Sequence, residues 1–203
     1  MAGLARDYNT AMVQLGPGDV WLAGELPATG SRPVIASAAD GALTPDATAS
    51  VGAVHIGMTL EGSKFIYKPT IEQYHSDEQA APIISSINVV EATIEGSMIQ
   101  TIESTILAKL IATGTRTAGS GYEQITLGDG QALTTFTVIL IAPLYSDTTK
   151  IVGIELYKAY NDEGFAMDIG RKKMAASPFK FVGMSIASRP ATDRVGIWWK
   201  TIT

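Results

Sequence analysis

In the stretch INVVEATIEGSMI, residues 87–99, Val90, Ala92, Ile94 and Met98 fall on one side of an alternation, and Glu91, Thr93, Glu95 and Ser97 on the other. A period of two is the period of an extended chain, so this segment predicts a strand with one dry face and one wet, acidic face. Upstream, VHIGMTL (54–60) and KFIYKPTIEQY (64–74) alternate in the same way around the turn residues EGS, which predicts a hairpin of two strands. The period then changes. In TIESTILAKLIATG, Ile102, Ile106, Leu107, Leu110 and Ile111 recur at helical spacing. Thr101 stands where a cap is needed, Glu103 lies in the first turn and Gly114 closes the end, so one helix is expected.

The rest of the chain reads as strands. A short one, Val20 to Leu22, follows the punctuation GPGD; YEQITL, ALTTFTVILIAPL, KIVGIELYKAY, FAMDI, PFKFVGMSIA and VGIWWKTI follow the helix, separated by GDG, NDEG and SRPATDR turns. Many strands, one helix and Gly-rich turns predict a mainly β protein: a β-sandwich or barrel with a flanking α-helix. Residues 1–18 form an N-terminal segment and 19–203 a single domain. Within it, residues 27–52 are rich in Pro, Gly, Ala, Ser, Thr and Asp and hold no lasting period. A loop of that length in a compact domain is functional or disordered, and its scarcity of charge between two strands points to an arm that orders against a neighbouring subunit.

Composition narrows the partners. Charged residues are 17% of the chain, below the usual quarter, and burial against other copies would account for such a surface. A net charge of −5 opposes free-standing duplex binding, which needs an excess of Lys and Arg on one face. The charge is uneven: residues 1–101 hold 11 acids and 4 bases, and residues 102–203 hold 9 acids and 11 bases. There is no cysteine, which excludes disulfides and thiolate chemistry. No apolar run approaches the roughly 20 residues that span a bilayer, so no membrane association is expected.

Candidate chemistry is sparse. His75, Ser76 and Asp77 are the residue types of a hydrolase triad, but neighbours on a strand point to opposite faces and cannot form the chain of nucleophile, base and orienter. Glu72, Asp77 and Glu78 are hard oxygen donors for a divalent cation, yet no Asp-x-Asp-x-Asp-Gly loop accompanies them. Gly128-Asp129-Gly130 reads as a turn, since a phosphate cradle needs a following helix and a Lys. The expectation is no enzyme, no cofactor and no metal. The basic run Arg171-Lys172-Lys173 fits either a solvated turn or the acidic surface of another subunit. Trp198 and Trp199 are consecutive, so one enters the core and the other is an interface anchor, with Trp199 the candidate for the latter.

In their order, GDVWLAG, VHIGMTLEGSKFIYKPTIEQYHSDEQAAPI, EATIEGSMIQTIESTILAKLI, KIVGIELYKAYNDEG and PFKFVGMSIA resemble the major tail tube protein of tailed bacteriophages with long non-contractile tails. The likeness spans roughly residues 16–190. It implies a β-sandwich whose strands join an inter-subunit β-barrel, with hexameric rings stacked into a tube through which genome DNA passes. It further implies tail terminator, tape measure and distal tail proteins as partners, and a place in the virion tail after synthesis in the host cytoplasm. A lumen must not hold phosphates, so Glu91, Thr93 and Glu95, with Glu72, become candidates for the channel wall. Asp77, Glu78, Arg171, Lys172, Lys173 and Trp199 become candidates for contacts between subunits. The alternatives are a secretion-system tube, a tail terminator or adaptor ring, or a carbohydrate-binding virion sandwich whose Trp21, Trp198 and Trp199 line one groove.

Overall fold

The computed structural model describes residues 18–24, 35–37, 44–45, 53–57, 59–74, 84–99, 103–111, 113–129, 133–143, 151–166 and 176–200. Their architecture is mainly β, with one short helix. In chain order the elements are β1 (Asp19–Ala23), β2 (Ile35–Ser37), β3 (Thr44–Pro45), β4 (Val54–His55), β5 (Thr59–Tyr74), β6 (Ile84–Met98), α1 (Ser104–Leu110), β7 (Thr115–Gly119), β8 (Tyr122–Thr126), β9 (Phe136–Pro143), β10 (Ile151–Asn161), β11 (Ser177–Gly183) and β12 (Gly196–Lys200). Eight strands form one antiparallel sheet in the order β4-β1-β9-β10-β11-β6-β5, with β12 also on β10. Two small ladders stand apart: β2 with β3, inside the 27–52 arm, and β7 with β8.

Strand β9, inside the sheet, carries the run FTVILIAP, buried on both faces as a fully covered strand must be; its one hydroxyl, Thr137, donates to Tyr157 O at 2.9 Å. Phe136, Val138 and Leu140 join Val20, Leu22 and Leu156 in the main core, together with Ala92, Ile94, Met98, Phe179 and Phe181 from the far end of the sheet. Strands from both ends thus contribute to one core. The terminal strands of the sheet, β4 and β5, are not paired with each other among the described residues. Helix α1 closes the core with Ile106 and Leu110. Asn161 fastens three elements at that end: its amide donates to Leu110 O and Gly164 O, and its carbonyl accepts from Lys180 N–H.

The sheet forks at β10. One edge of β10 pairs with β9; the other is shared in tandem by β12, opposite Val152 to Leu156, and β11, opposite Ala159 to Asn161. The register break between Leu156 and Ala159 lies at the fork, as expected where a bulge bends a strand.

Four expectations change. The segments flanking EGS do not form a hairpin with each other: β5 runs unbroken through it to Tyr74 and pairs with β6 throughout. Gly62, at φ 84, takes up an irregularity between Leu60 and Ser63, so the turn residues kink the strand instead of reversing it. The helix starts at Ser104 with Glu103 as its cap residue, and it ends with Ile111 at the C-cap, short of Gly114; Thr101 lies outside the described residues. FAMDI is not a strand at Phe165 and Ala166, the part of it that is described. The strand β7 was not anticipated; Ser120-Gly121, with Gly121 at φ 84, is the two-residue loop that joins it to β8.

Candidate assembly surface

The β5–β6 hairpin is longer than the sheet that carries it. Among the described residues, strand β11 covers β6 only between Thr93 and Met98, so residues 84–92 keep an open edge, and β5 has no partner but β6. Residues 68–74 therefore project past the body as one strand of a two-stranded ribbon, over about 23 Å at a rise of roughly 3.3 Å per residue. Thr70 to Tyr74 and Ser85 to Ile87 are exposed.

The ribbon's apolar face continues the core. Phe65 and Tyr67, opposite Ile94 and Ala92, lead outward to Pro69 opposite Val90 and Ile71 opposite Ile87. A bulge decides the last pair: the register passes from Thr70–Val89 to Ile71–Ile87, leaving Asn88 as the extra residue. Without it Ile87 would stand opposite Glu72, on the other face. Tyr67, Ile71 and Ile87 are 60%, 55% and 65% exposed, so this stripe is open to solvent in a single copy.

At the fork, the root of the ribbon and β12 enclose a groove of about 510 Å³. Phe65, Tyr67 and Val90 form one wall, Trp198 the other, and Ile154 and Leu156 the floor. Among the described residues strand β12 is paired only to β10, so the groove runs between two open strand edges. A clasp holds the turn that leads into β12. Tyr157 Oη donates to Asp193 at 2.6 Å, Arg189 donates to the same carboxylate at 3.0 Å, and the Arg189 guanidinium lies 3.6 Å above the Tyr157 ring. Burial first, and the hydrogen bond to Asp193 second, push the Tyr157 phenol up to about 12.

The opposite, polar face of the ribbon and its root is a charge ladder. Glu95 stands between Lys64 on β5 and Lys180 on β11, with its carboxylate 3.2 Å from Lys64 Nζ, and Glu91 stands opposite Lys68. The carboxylates expected on a wet, acidic face are there, but each is matched by a lysine across the strand. Thr93 departs from that expectation: it is 1% exposed and its hydroxyl has no hydrogen-bond partner among the described residues. It lies on the middle strand between Ile66 and Val182, whose branched side chains shade a short one. Glu72 is exposed near the end of the ribbon and accepts a hydrogen bond from Tyr74 Oη at 3.0 Å.

The tryptophans exchange roles. Trp199 stands opposite Gly153 and joins Trp21 over Ile139, Ile141 and Ile151; a Cβ at Gly153 would fall inside its indole. Trp198, opposite Ile154, is the outward one at 58% exposed. Alternation alone separated the two rings, and the missing side chain at Gly153 decides which packs. His55 is structural: Nδ1 accepts from Gly57 N–H, Nε2 faces Asp19 Oδ1 at 3.3 Å, and the ring packs on Trp21. His75, Asp77, Glu78, Arg171, Lys172 and Lys173 lie outside the described residues. Among the described residues no three His, Asp or Glu side chains converge as a metal would need, and no helix is long and apolar enough to cross a membrane. No family model and no curated protein matches the chain.

Proposed function

We propose that the chain is a structural virion protein whose copies join into hexameric rings, the rings stacking into a tail tube that conducts genome DNA during ejection. The observation that carries this is the β5–β6 ribbon, with its apolar stripe and with both edges open among the described residues of a single copy. A lone two-stranded ribbon is marginal in water, and open edges invite pairing. A closed ring of identical copies covers such edges on every subunit without leaving an end. The number six, the stacking and the DNA conduit come from the resemblance of the quoted segments to tail tube proteins. So do the tail terminator, tape measure and distal tail proteins as partners, and the virion tail as location. On this proposal the protein turns over no substrate, and DNA passes without being held.

A secretion-system tube or a terminator ring would use the same ribbon and differs in whether, and on what, its rings stack. The carbohydrate-binding alternative has less support, because Trp21 and Trp199 lie on the face opposite Trp198 and do not share a groove with it. Negative-stain microscopy of the purified chain over a range of concentrations is the test. Six-fold rings and tubes are expected; a monomer at every concentration, by light scattering, would overturn the proposal.

A further inference from the structure

We infer that the groove at the fork of the sheet seats the β5–β6 hairpin tip of a neighbouring copy. This rests on the self-assembly proposed above and adds which two surfaces meet.

The ribbon cannot fill its own groove. Tyr67 lines the groove, whereas Tyr74 stands seven residues further along the same strand, about 23 Å away. Tyr74 and Ile84 are paired, so the nine residues that join them can reach back at most about 15 Å, short of the groove of their own chain.

The two surfaces also match chemically. The connection between Tyr74 and Ile84 reads HSDEQAAPI: two acids, then a run of small and apolar residues. The groove offers a base at its rim, the exposed Arg194, and then an apolar floor of Ile154 and Leu156 between Tyr67 and Trp198. Asp77 and Glu78 would meet Arg194, and Ala80 to Ile83 would cover the apolar floor. The open edge of β12 and that of β6 supply backbone groups to an extended segment, the mode by which sheets accept an added strand. Tip and groove are different surfaces of one molecule, so the contact is head-to-tail. A head-to-tail contact propagates around a ring, whereas a self-complementary patch stops at a dimer.

The absence of cysteine makes a clean test possible. The double variant Thr192→Cys/Gln79→Cys, treated with a short bis-maleimide, should give a covalent ladder reaching the size of the ring on a denaturing gel, and neither single variant should. Rings or tubes seen by microscopy with no ladder would overturn this inference and leave self-assembly standing. A chain that never assembles would overturn both. A charge exchange guards against a double variant that fails to assemble for other reasons. Arg194→Glu should raise the concentration needed for assembly by about tenfold, and Asp77→Arg/Glu78→Arg in the same chain should restore it. Assembly of Arg194→Glu at the original concentration, or failure of the exchange to restore it, would overturn the inference.

Discussion

Tyr157 shows how one side chain sets the position of a strand it does not belong to. Its hydroxyl, Asp193 and Arg189 tie the turn before β12 to β10, and so hold one wall of the groove in place. The protonated phenol is the form that donates to Asp193, and the folded chain keeps that proton up to about pH 12, against about 10 for an exposed tyrosine. A folded-state pKa raised above the unfolded value contributes stability that is complete below pH 10 and is lost as pH rises through 12. Tyr157→Phe should therefore be less stable than the parent by about 1 kcal/mol at neutral pH, with the gap closing between pH 10 and 12. Urea denaturation of both chains across that range measures it; a gap that stays constant would mean the hydroxyl is not the clasp.

For the elements, what separates a core strand from the proposed assembly surface is where its neighbour stops. Tyr67 and Ile71 continue the alternation of Phe65, yet Phe65 packs against the core while the other two are open, because β11 leaves β6 at Thr93. The replacements Ile71→Glu and Ile87→Glu fall beyond that point. Made together, they should change the stability of the single copy by no more than about 0.5 kcal/mol, as surface changes do, while abolishing rings and tubes. Thermal melting and light scattering of the same sample check the two halves, and normal assembly of this variant would remove the ribbon from the interface. The alternation in residues 64–74 and 84–98 was plain in the sequence, as were the dry face of Ala92, Ile94 and Met98 and the matching wet positions of Glu91 and Glu95. Where the ribbon leaves the sheet was not, since that depends on the length of β11, far off in the chain. EGS misled because a glycine at positive φ serves a bulge as well as a turn. Strand β7 was missed because TRTAG, exposed throughout, has no buried face to impose an alternation.

At the scale of the whole molecule, the lysines beside Glu91 and Glu95 change how a channel wall would avoid holding DNA. A purely acidic wall repels phosphates, whereas a ladder in which Lys64 is paired with Glu95, Lys180 with Asp162 at 3.6 Å, and Lys68 stands beside Glu91 offers each phosphate a base already matched by an acid. In the proposed tube such a wall is locally neutral, and because counterion release needs unpaired bases, it gives little net attraction. The ladder depends on its acids: Glu91→Lys and Glu95→Lys together would turn the face strongly basic, leaving Lys64 and Lys68 without their partners, and repeat that charge around every ring. Both positions lie on the polar face, away from the apolar stripe and the groove, so rings and tubes should still form. DNA ejection through such tails should slow at low salt and recover as salt rises, with a rate that depends more steeply on ionic strength than the parent's. If the variant's tubes form normally and ejection at low salt keeps the parent's rate, this face does not line the channel, and the lumen must be sought on the outer edge of β5 or on the β7–β8 hairpin.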